Sequence, residues 1–265
     1  MRQMLVVGPF PWQAVGVTPG DWKNVQIDES FGEADAIRRL RTKAYDVIIT
    51  SPVIPAARDI AMVIEARDEQ PGIRTIVVAP ELTANDIIAA LRHEVFSCFA
   101  MPVAPEEQRE SVAQALDAEG WKNGIEVISA LPDWIALRVS CRRITADRMT
   151  RYVTALAGDV PNLDRNDLAT AFRELLLNAM EHGAGFDPDK VIEVAAVRTA
   201  RTIVYYFKDP GPGFNPKAPG LVATEDDPLS HLSYREAEGK RTGGLGRVLA
   251  SEVVGGFNRK LVGQG

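Results

Sequence analysis

The chain has 265 residues, 46% hydrophobic and 25% charged, which is ordinary globular composition and long enough for two domains with separate cores. A formal net charge of -6 and a pI near 5.3 argue against a nucleic-acid partner, because such surfaces carry a basic stripe. The opening MRQMLVVGPF is too short an apolar run for a signal peptide, and no stretch reaches the roughly 18 apolar residues of a membrane helix, so a soluble cytoplasmic protein with no membrane partner is expected.

Along the first half, short apolar runs alternate with segments of helical period. Met4–Gly8 (MLVVG), Val25–Ile27, Asp46–Thr50 (DVIIT), Ile73–Val78 (IRTIVV) and Val95–Ala100 (VFSCFA) read as strands. Their apolar residues are continuous rather than alternating, the pattern of strands covered on both faces. Between them, Phe31–Ala44, Ala56–Asp68, Ala84–His93 and Pro105–Ala118 carry apolar residues at i, i+3 and i+4. Thr83 before Asn85, and Ala104-Pro105 before two glutamates, are helix-start signals. Prolines and glycines punctuate the stretch after the first strand, where a further helix is weakest. Five strands alternating with helices predict a doubly wound parallel α/β sheet over residues 1–118. The pattern breaks at Glu119–Gly124 (EGWKNG), and residues 119–125 read as a linker.

Residues 126–265 change character. Ile125–Ser129 and Trp134–Val139 read as strands around a Pro132-Asp133 turn, and Thr145 as the cap of a helix running to about Leu156. A second helix, Asp164–Glu181, is strongly periodic, with an apolar stripe of Leu168, Phe172, Leu175, Leu176 and Ala179. Val191–Val197 and Thr202–Phe207 are β-rich. A glycine- and proline-rich stretch follows, and then a helix from Arg247 to about Val254. This order fits an α+β two-layer sandwich. Cys98 and Cys141 lie in apolar, strand-like contexts without metal or redox spacing, and read as buried free thiols.

Three segments carry candidate chemistry. In Ala171–Gly183 (AFRELLLNAMEHG), Glu174, Asn178 and His182 are spaced four apart, along one helix face and away from most of the apolar stripe. An Asn amide oxygen suits Mg²⁺, and a carboxylate one turn earlier suits a base beside phosphates. In Asp209–Phe214 (DPGPGF), an aspartate at a strand end can accept a hydrogen bond from an adenine amino group, while Gly211 and Gly213 admit close backbone approach. In Thr242–Leu249 (TGGLGRVL), consecutive glycines open a helix and present N–H groups to an anion. Taken singly, each has a plainer explanation: a solvated helix face, a Pro/Gly turn, a flexible glycine run.

Together and in this order, Glu-x-x-x-Asn, Asp-x-Gly-x-Gly-Phe and Gly-Gly-x-Gly resemble the N, G1 and G2 boxes of the histidine-kinase-like (GHKL, or Bergerat) ATPases, over about residues 130–260. The resemblance implies a Bergerat ATP-binding sandwich with ATP and Mg²⁺ as cofactors. Asn178 would ligate Mg²⁺, Asp209 would bind adenine, and Gly243, Gly244 and Gly246 would cradle the phosphates. Residues 215–242 would form a lid. One departure is visible: such a sandwich ends in a further strand after its last helix, and no strand pattern follows that helix before Gly265.

The histidines, His93, His182 and His231, lie at a helix end, at the close of the helix bearing Glu174 and Asn178, and in the lid. None sits on a long heptad-patterned helix, which disfavours a histidine autokinase. Glu-x-x-x-Asn-Ala-x-x-His, with Trp134-Ile-Ala-Leu-Arg-Val ahead of it, resembles instead the anti-sigma-factor serine kinases. That branch implies γ-phosphoryl transfer from MgATP to a serine or threonine of an anti-anti-sigma (STAS-like) partner, with Glu174 taking the hydroxyl proton. The alternative is an ATP-gated module that sequesters a sigma factor or another partner without phosphotransfer. A hydrolytic ATPase is a weaker third reading. Either of the first two is compatible with a homodimer.

Residues 1–118 resemble the receiver domain of response regulators, of flavodoxin-like fold, with every chemical position replaced. Ser51 stands where the phosphoacceptor aspartate would be, and Gly8 and Pro9 where paired acids would hold metal. Ala79 replaces the switch Ser/Thr, and Met101 replaces the lysine before Pro102. The resemblance implies a pseudo-receiver that docks or dimerises but takes no phosphoryl group. An ordinary flavodoxin-like domain without regulatory history is the duller alternative.

Overall fold

The computed structural model describes residues 1–9, 20, 22, 24–118, 120–157, 165–199 and 203–211. The chain divides into two compact units, Met1–Arg138 with Ala195–Arg198, and Val139–Val194 with Thr199–Gly265.

The first unit is built on five strands: β1 (Arg2–Val7), β2 (Val25–Ser30), β3 (Val47–Thr50), β4 (Arg74–Ala79) and β5 (Ser97–Ala100). They pair in the order β2-β1-β3-β4-β5, and every pair is parallel, which is the flavodoxin-like order. Helices α1 (Glu33–Leu40), α2 (Ala56–Glu69) and α3 (Ala84–Arg92) fill the crossovers from β2 to β5, and α4 (Pro105–Asp117) follows β5. Residues of β3 and β4 are buried without exception, as continuous apolar strands require when both faces are covered.

Register shows how the two faces are used. Leu5 lies beside Ile48, and Ile48 beside Thr75, on one face. There Leu5, Val7 and Ile48 form a core with Ala36, Ile37 and Leu40 of α1 and Met62 and Ala66 of α2. Arg74 and Ser97 face the other way. Arg74 Nε donates to the Ala115 carbonyl at 2.8 Å, and Ser111 donates to Ser97 at 2.9 Å, so α4 covers that side. The helix start expected near Thr83 is a capping box, with the Thr83 and Asp86 side chains each bonded to the other's backbone N–H.

The second sheet has the order β6-β7-β8-β9, from β6 (Ile125–Leu131), β7 (Trp134–Ser140), β8 (Val191–Arg198) and β9 (Ile203–Lys208). Cys141 N–H donates to the Lys190 carbonyl at 3.3 Å, and Arg198 N–H to Asp133 at 2.9 Å. These bonds flank β7 and β8 at opposite ends and make the pair antiparallel. One face buries Ile135, Leu137, Val139, Ile192 and Val194. Its helices are α5 (Arg143–Leu156) and α6 (Arg165–Asn178), the latter followed by a π-helical turn at Ala179–Gly183. Phe172 of α6 meets Tyr205 and Phe207 of β9, ring centroids 5.2 and 5.3 Å away. The opposite face is polar in part, with ion pairs Arg138–Glu126 at 3.6 Å and Lys208–Glu193 at 3.2 Å. The architecture is therefore α/β followed by helices layered on an antiparallel sheet.

Two expectations are corrected. Thr145 does not cap α5; the N-cap is Arg142, whose carbonyl accepts from Thr145 and Ala146 N–H at 3.0 and 3.1 Å. In the α6 stripe Leu175 is only half-buried, and Leu177 is buried instead. Among the described residues no helix is long and apolar enough to cross a membrane. The predicted lid (215–242), the helix from Arg247, and Gly213, Gly243, Gly244 and Gly246 lie outside the described residues, as does most of the segment between β1 and β2.

Candidate functional site

The C-terminal half of α6 and the end of β9 bring the first two candidate segments together. Glu174 and Asn178 stand one turn apart on α6 and are both half-buried, while Leu176 and Leu177 between them are fully covered. Directly after Asn178 the helix widens into its π turn, and the chain closes back through Phe186 N–H to the Met180 carbonyl at 2.8 Å. Single π turns recur at functional sites because they re-aim side chains without ending the helix. His182, within this turn, is exposed, whereas Glu174 and Asn178 are half-buried.

The π turn delivers Gly183 against Asp209. A β-carbon at Gly183 would fall well under 3.0 Å from Oδ1, Cγ and Cβ of Asp209, and one at Gly211 would lie 2.7 Å from the Gly183 α-carbon. Asp209 Oδ1 accepts the Gly211 N–H at 2.9 Å, and Oδ2 takes no partner among the described residues. The result is a carboxylate seated on bare backbone, with one oxygen tied and one available to a donor such as an exocyclic amino group. Beneath it lies Cys141, buried and free. Burial first, then the charge of Asp187, pushes its thiol up, Asp209 adding to the effect and Lys190 opposing it. Cys98 is pushed up to about 12, mainly by burial. Both are therefore unreactive thiols at neutral pH.

Asn178 offers a single amide oxygen, and no group of three or more His, Cys, Asp or Glu able to hold a metal occurs among the described residues. Such a donor set fits Mg²⁺ that draws most of its oxygens from phosphates and water rather than from a protein cage. Gly183 was not legible as a site residue. Its only signal is its place just after the Glu-x-x-x-Asn-Ala-x-x-His row, where a glycine reads as a helix stop.

At the C-terminal edge of the parallel sheet, Gly8, Pro9, Ser51, Ala79 and Met101 bring neither acid nor base. Gly8 follows β1 with φ +78°, donates its N–H to Ser30 at 3.0 Å, and would meet Ser51 Cβ at 3.5 Å if it carried a β-carbon. Ser51 is fully buried, and its hydroxyl donates to the carbonyl of Pro9. Ala79 is buried, and its carbonyl accepts Met101 N–H at 3.0 Å, ahead of the cis Met101–Pro102 bond. A buried carboxylate comes from α2. Asp59, in the first turn of α2, is fully buried, and neither of its oxygens has a well-aligned hydrogen-bond partner among the described residues. Burial pushes it up to about 7; the facing Thr50 hydroxyl and Arg58 oppose this, and Glu33 of α1 adds to it. An acid on the apolar stripe shared with Ile60, Met62, Val63 and Ala66 is a signal the sequence carried and helical periodicity passed over.

Comparison with known proteins bears on both halves. Residues 140–258 match the family model of the histidine kinase-like ATPase domain, a span that takes in α5, α6, the π turn, β8, β9 and all three glycine-bearing segments. ATP is the ligand such a domain implies. No curated protein matches the chain. Among solved structures, a response regulator receiver domain protein (CheY-like) from Methanospirillum hungatei is 13% identical, over 44% of this chain and 94% of that one, with a TM-score of 0.38. A response regulator from Thermotoga maritima is 16% identical, over 44% of this chain and 98% of that one, with a TM-score of 0.37.

Proposed function

We propose that the chain is an ATP-dependent protein serine/threonine kinase of the anti-sigma-factor type. Its partner would be an anti-anti-sigma (STAS-like) or sigma-factor-like protein in the cytoplasm, and its control a receiver-like domain at residues 1–118 that takes no phosphoryl group. The kinase half would run over residues 126–265 after the linker at 119–125. The observation that carries this reading is the meeting of Asp209, Gly211 and Gly183 at the end of the helix bearing Glu174 and Asn178, inside the span that matches the ATPase family.

Within the proposal each residue has one task. Asp209 accepts from the adenine amino group, and Asn178 holds Mg²⁺ through its amide oxygen. Glu174 takes the proton of the partner's hydroxyl as its oxygen bonds to the γ-phosphorus and ADP departs. When bound, the metal neutralises charge on the phosphates. Gly243, Gly244 and Gly246 would supply N–H donors to the same oxygens. Most of the acceleration comes from positioning and electrostatics. Retention of Glu174 favours transfer over pure binding, since a binder needs Asn178 and Asp209 but no base. Ser51 and its neighbours leave aspartyl phosphorylation without an acceptor, which favours a docking or dimerisation role for the receiver-like half.

The test is incubation with MgATP and STAS-like proteins, followed by mass spectrometry of every component, beside Glu174→Ala. Phosphate on a partner serine or threonine, lost in the variant, supports the kinase. Tight nucleotide binding with no phosphate on any protein replaces it with the ATP-gated sequestering module.

A further inference from the structure

We infer that Gly183 is a positioning residue for base recognition: its bare α-carbon is the seat that fixes the Asp209 carboxylate for a purine bearing an amino donor. The inference rests on the reading of residues 140–258 as an ATP site, and it adds a residue whose side chain, being absent, could never contact the ligand.

Three observations carry it. First, the space a Gly183 side chain would need is already filled by Asp209, whose Oδ1, Cγ and Cβ are its three nearest atoms. The requirement is one of volume, since Gly183 does not have the positive φ recorded for Gly8 or Gly185. Second, the same contact holds from the other side. A β-carbon on Gly211 would approach the Gly183 α-carbon at 2.7 Å, its carbonyl oxygen at 3.0 Å and Asp209 Oδ1 at 2.8 Å. Third, the carboxylate so held has Oδ1 committed to the Gly211 N–H at 2.9 Å. Its rotamer is thereby set, and Oδ2 is directed by the backbone of two glycines rather than by a choice among side-chain conformers.

A methyl group at 183 therefore acts on the base without touching it. It must displace the whole Asp209 side chain, which breaks the Gly211 bond and re-aims Oδ2. A carboxylate accepts only from donors, so the seated aspartate favours adenine, with its 6-amino group, over a purine that has hydrogen there and over guanine, whose oxygen is an acceptor. The loss expected on displacement is the discrimination itself rather than phosphate affinity.

The experiment measures binding of ATP and of purine riboside triphosphate, which lacks the amino group, to the full chain and to Gly183→Ala by calorimetry. The wild type is expected to prefer ATP by about ten- to hundredfold, the worth of one charge-assisted hydrogen bond. In Gly183→Ala the preference falls to near unity while affinity for the purine analogue holds. A variant that keeps the preference overturns the inference and leaves the ATP reading intact. Failure of the wild type to bind either nucleotide overturns the ATP reading, and the inference with it. A double-mutant cycle covers a variant that folds poorly. Asp209→Gly removes the three atoms nearest the methyl, so Gly183→Ala should lower the melting temperature much more in the wild-type background than in Asp209→Gly. Equal destabilisation in both backgrounds overturns the inference.

Discussion

The Ser51 hydroxyl donates to the carbonyl of Pro9, so the serine that follows β3 is tied to the backbone just after β1. Gly8 brings that backbone down, at φ +78° and within contact of Ser51 Cβ. A buried hydroxyl bonded to a backbone carbonyl has a structural task. Ser51→Ala should lower unfolding free energy by ~1 kcal/mol, the usual worth of such a bond. Ser51→Asp should lower it further, because it sets a carboxylate against the Pro9 carbonyl, and it should still incorporate no phosphate from acetyl phosphate. Denaturant melts and intact-mass measurement check both halves, and a phosphorylated Ser51→Asp protein would show that the site needs only its acceptor restored.

Asp59 predicts a pH dependence of stability. Its carboxyl, at 3.8 when unperturbed, is pushed up to about 7 in the folded protein, first by burial and then by Glu33, against the pull of Thr50 and Arg58. The folded state therefore holds the proton where the unfolded state has released it. Stability from this group is fully present below pH 3.8, declines as pH rises, and is lost above about 7. The span corresponds to a few kcal/mol, on the order of 1.4 for each pH unit. Asp59→Asn cannot titrate, so its stability profile should be flatter than that of the wild type across this window. Parallel slopes for the two proteins would assign the pH dependence to other groups.

The parallel sheet was legible because burial on both faces writes itself into sequence: Val47–Thr50 and Arg74–Ala79 are apolar or nearly so, and all are buried. Thr83 marked the start of α3 for a similarly local reason, and in the structure it caps that helix together with Asp86. What was not legible depends on contacts remote in sequence. Helix α6 meets both the sheet, through Phe172, and α5, so its buried arc extends to Leu177 and leaves Leu175 half-covered. The chain entering α5 is tied across by the Cys141 N–H to Lys190, just ahead of β8, and the helix begins before Thr145. The need for glycine at 183 comes from Asp209, just after β9, packing there. Of the candidate site, Glu174, Asn178, Asp209 and Gly211 could be named from spacing, but their mutual fit could not.

Phe172 links core to site. Its ring is fully buried, edge-on to Tyr205 and tilted against Phe207, two residues before Asp209. Phe172→Ala should destabilise by ~3–5 kcal/mol through the cavity it leaves. Loosening β9 should also weaken nucleotide binding at temperatures where the protein remains folded. Phe172→Leu, which keeps most of the volume, should lose less of both. Equal nucleotide affinity in wild type and Phe172→Ala would mean that Asp209 is held by its glycines alone.

In the proposed kinase Asn178 and Asp209 address opposite ends of the nucleotide, so their variants should fail in different ways. If Asn178 supplies the amide oxygen to Mg²⁺, then Asn178→Ala keeps the adenine contact and loses the enhancement of ATP affinity by the metal. Asp209→Asn replaces an acceptor-only carboxylate by an amide that can also donate, which weakens ATP with and without Mg²⁺ by about tenfold or more. Titration of each variant with ATP in EDTA and in excess Mg²⁺ separates the two patterns. Asn178 sits where α6 passes into its π turn, so its backbone is fixed by the same turn that seats Asp209 on Gly183. For that reason Gly183→Ala should resemble Asp209→Asn and not Asn178→Ala: base preference is lost while the metal enhancement persists. A Gly183→Ala protein that instead lost the Mg²⁺ effect would place the consequence of the π turn at the phosphate end, with the adenine end merely adjacent.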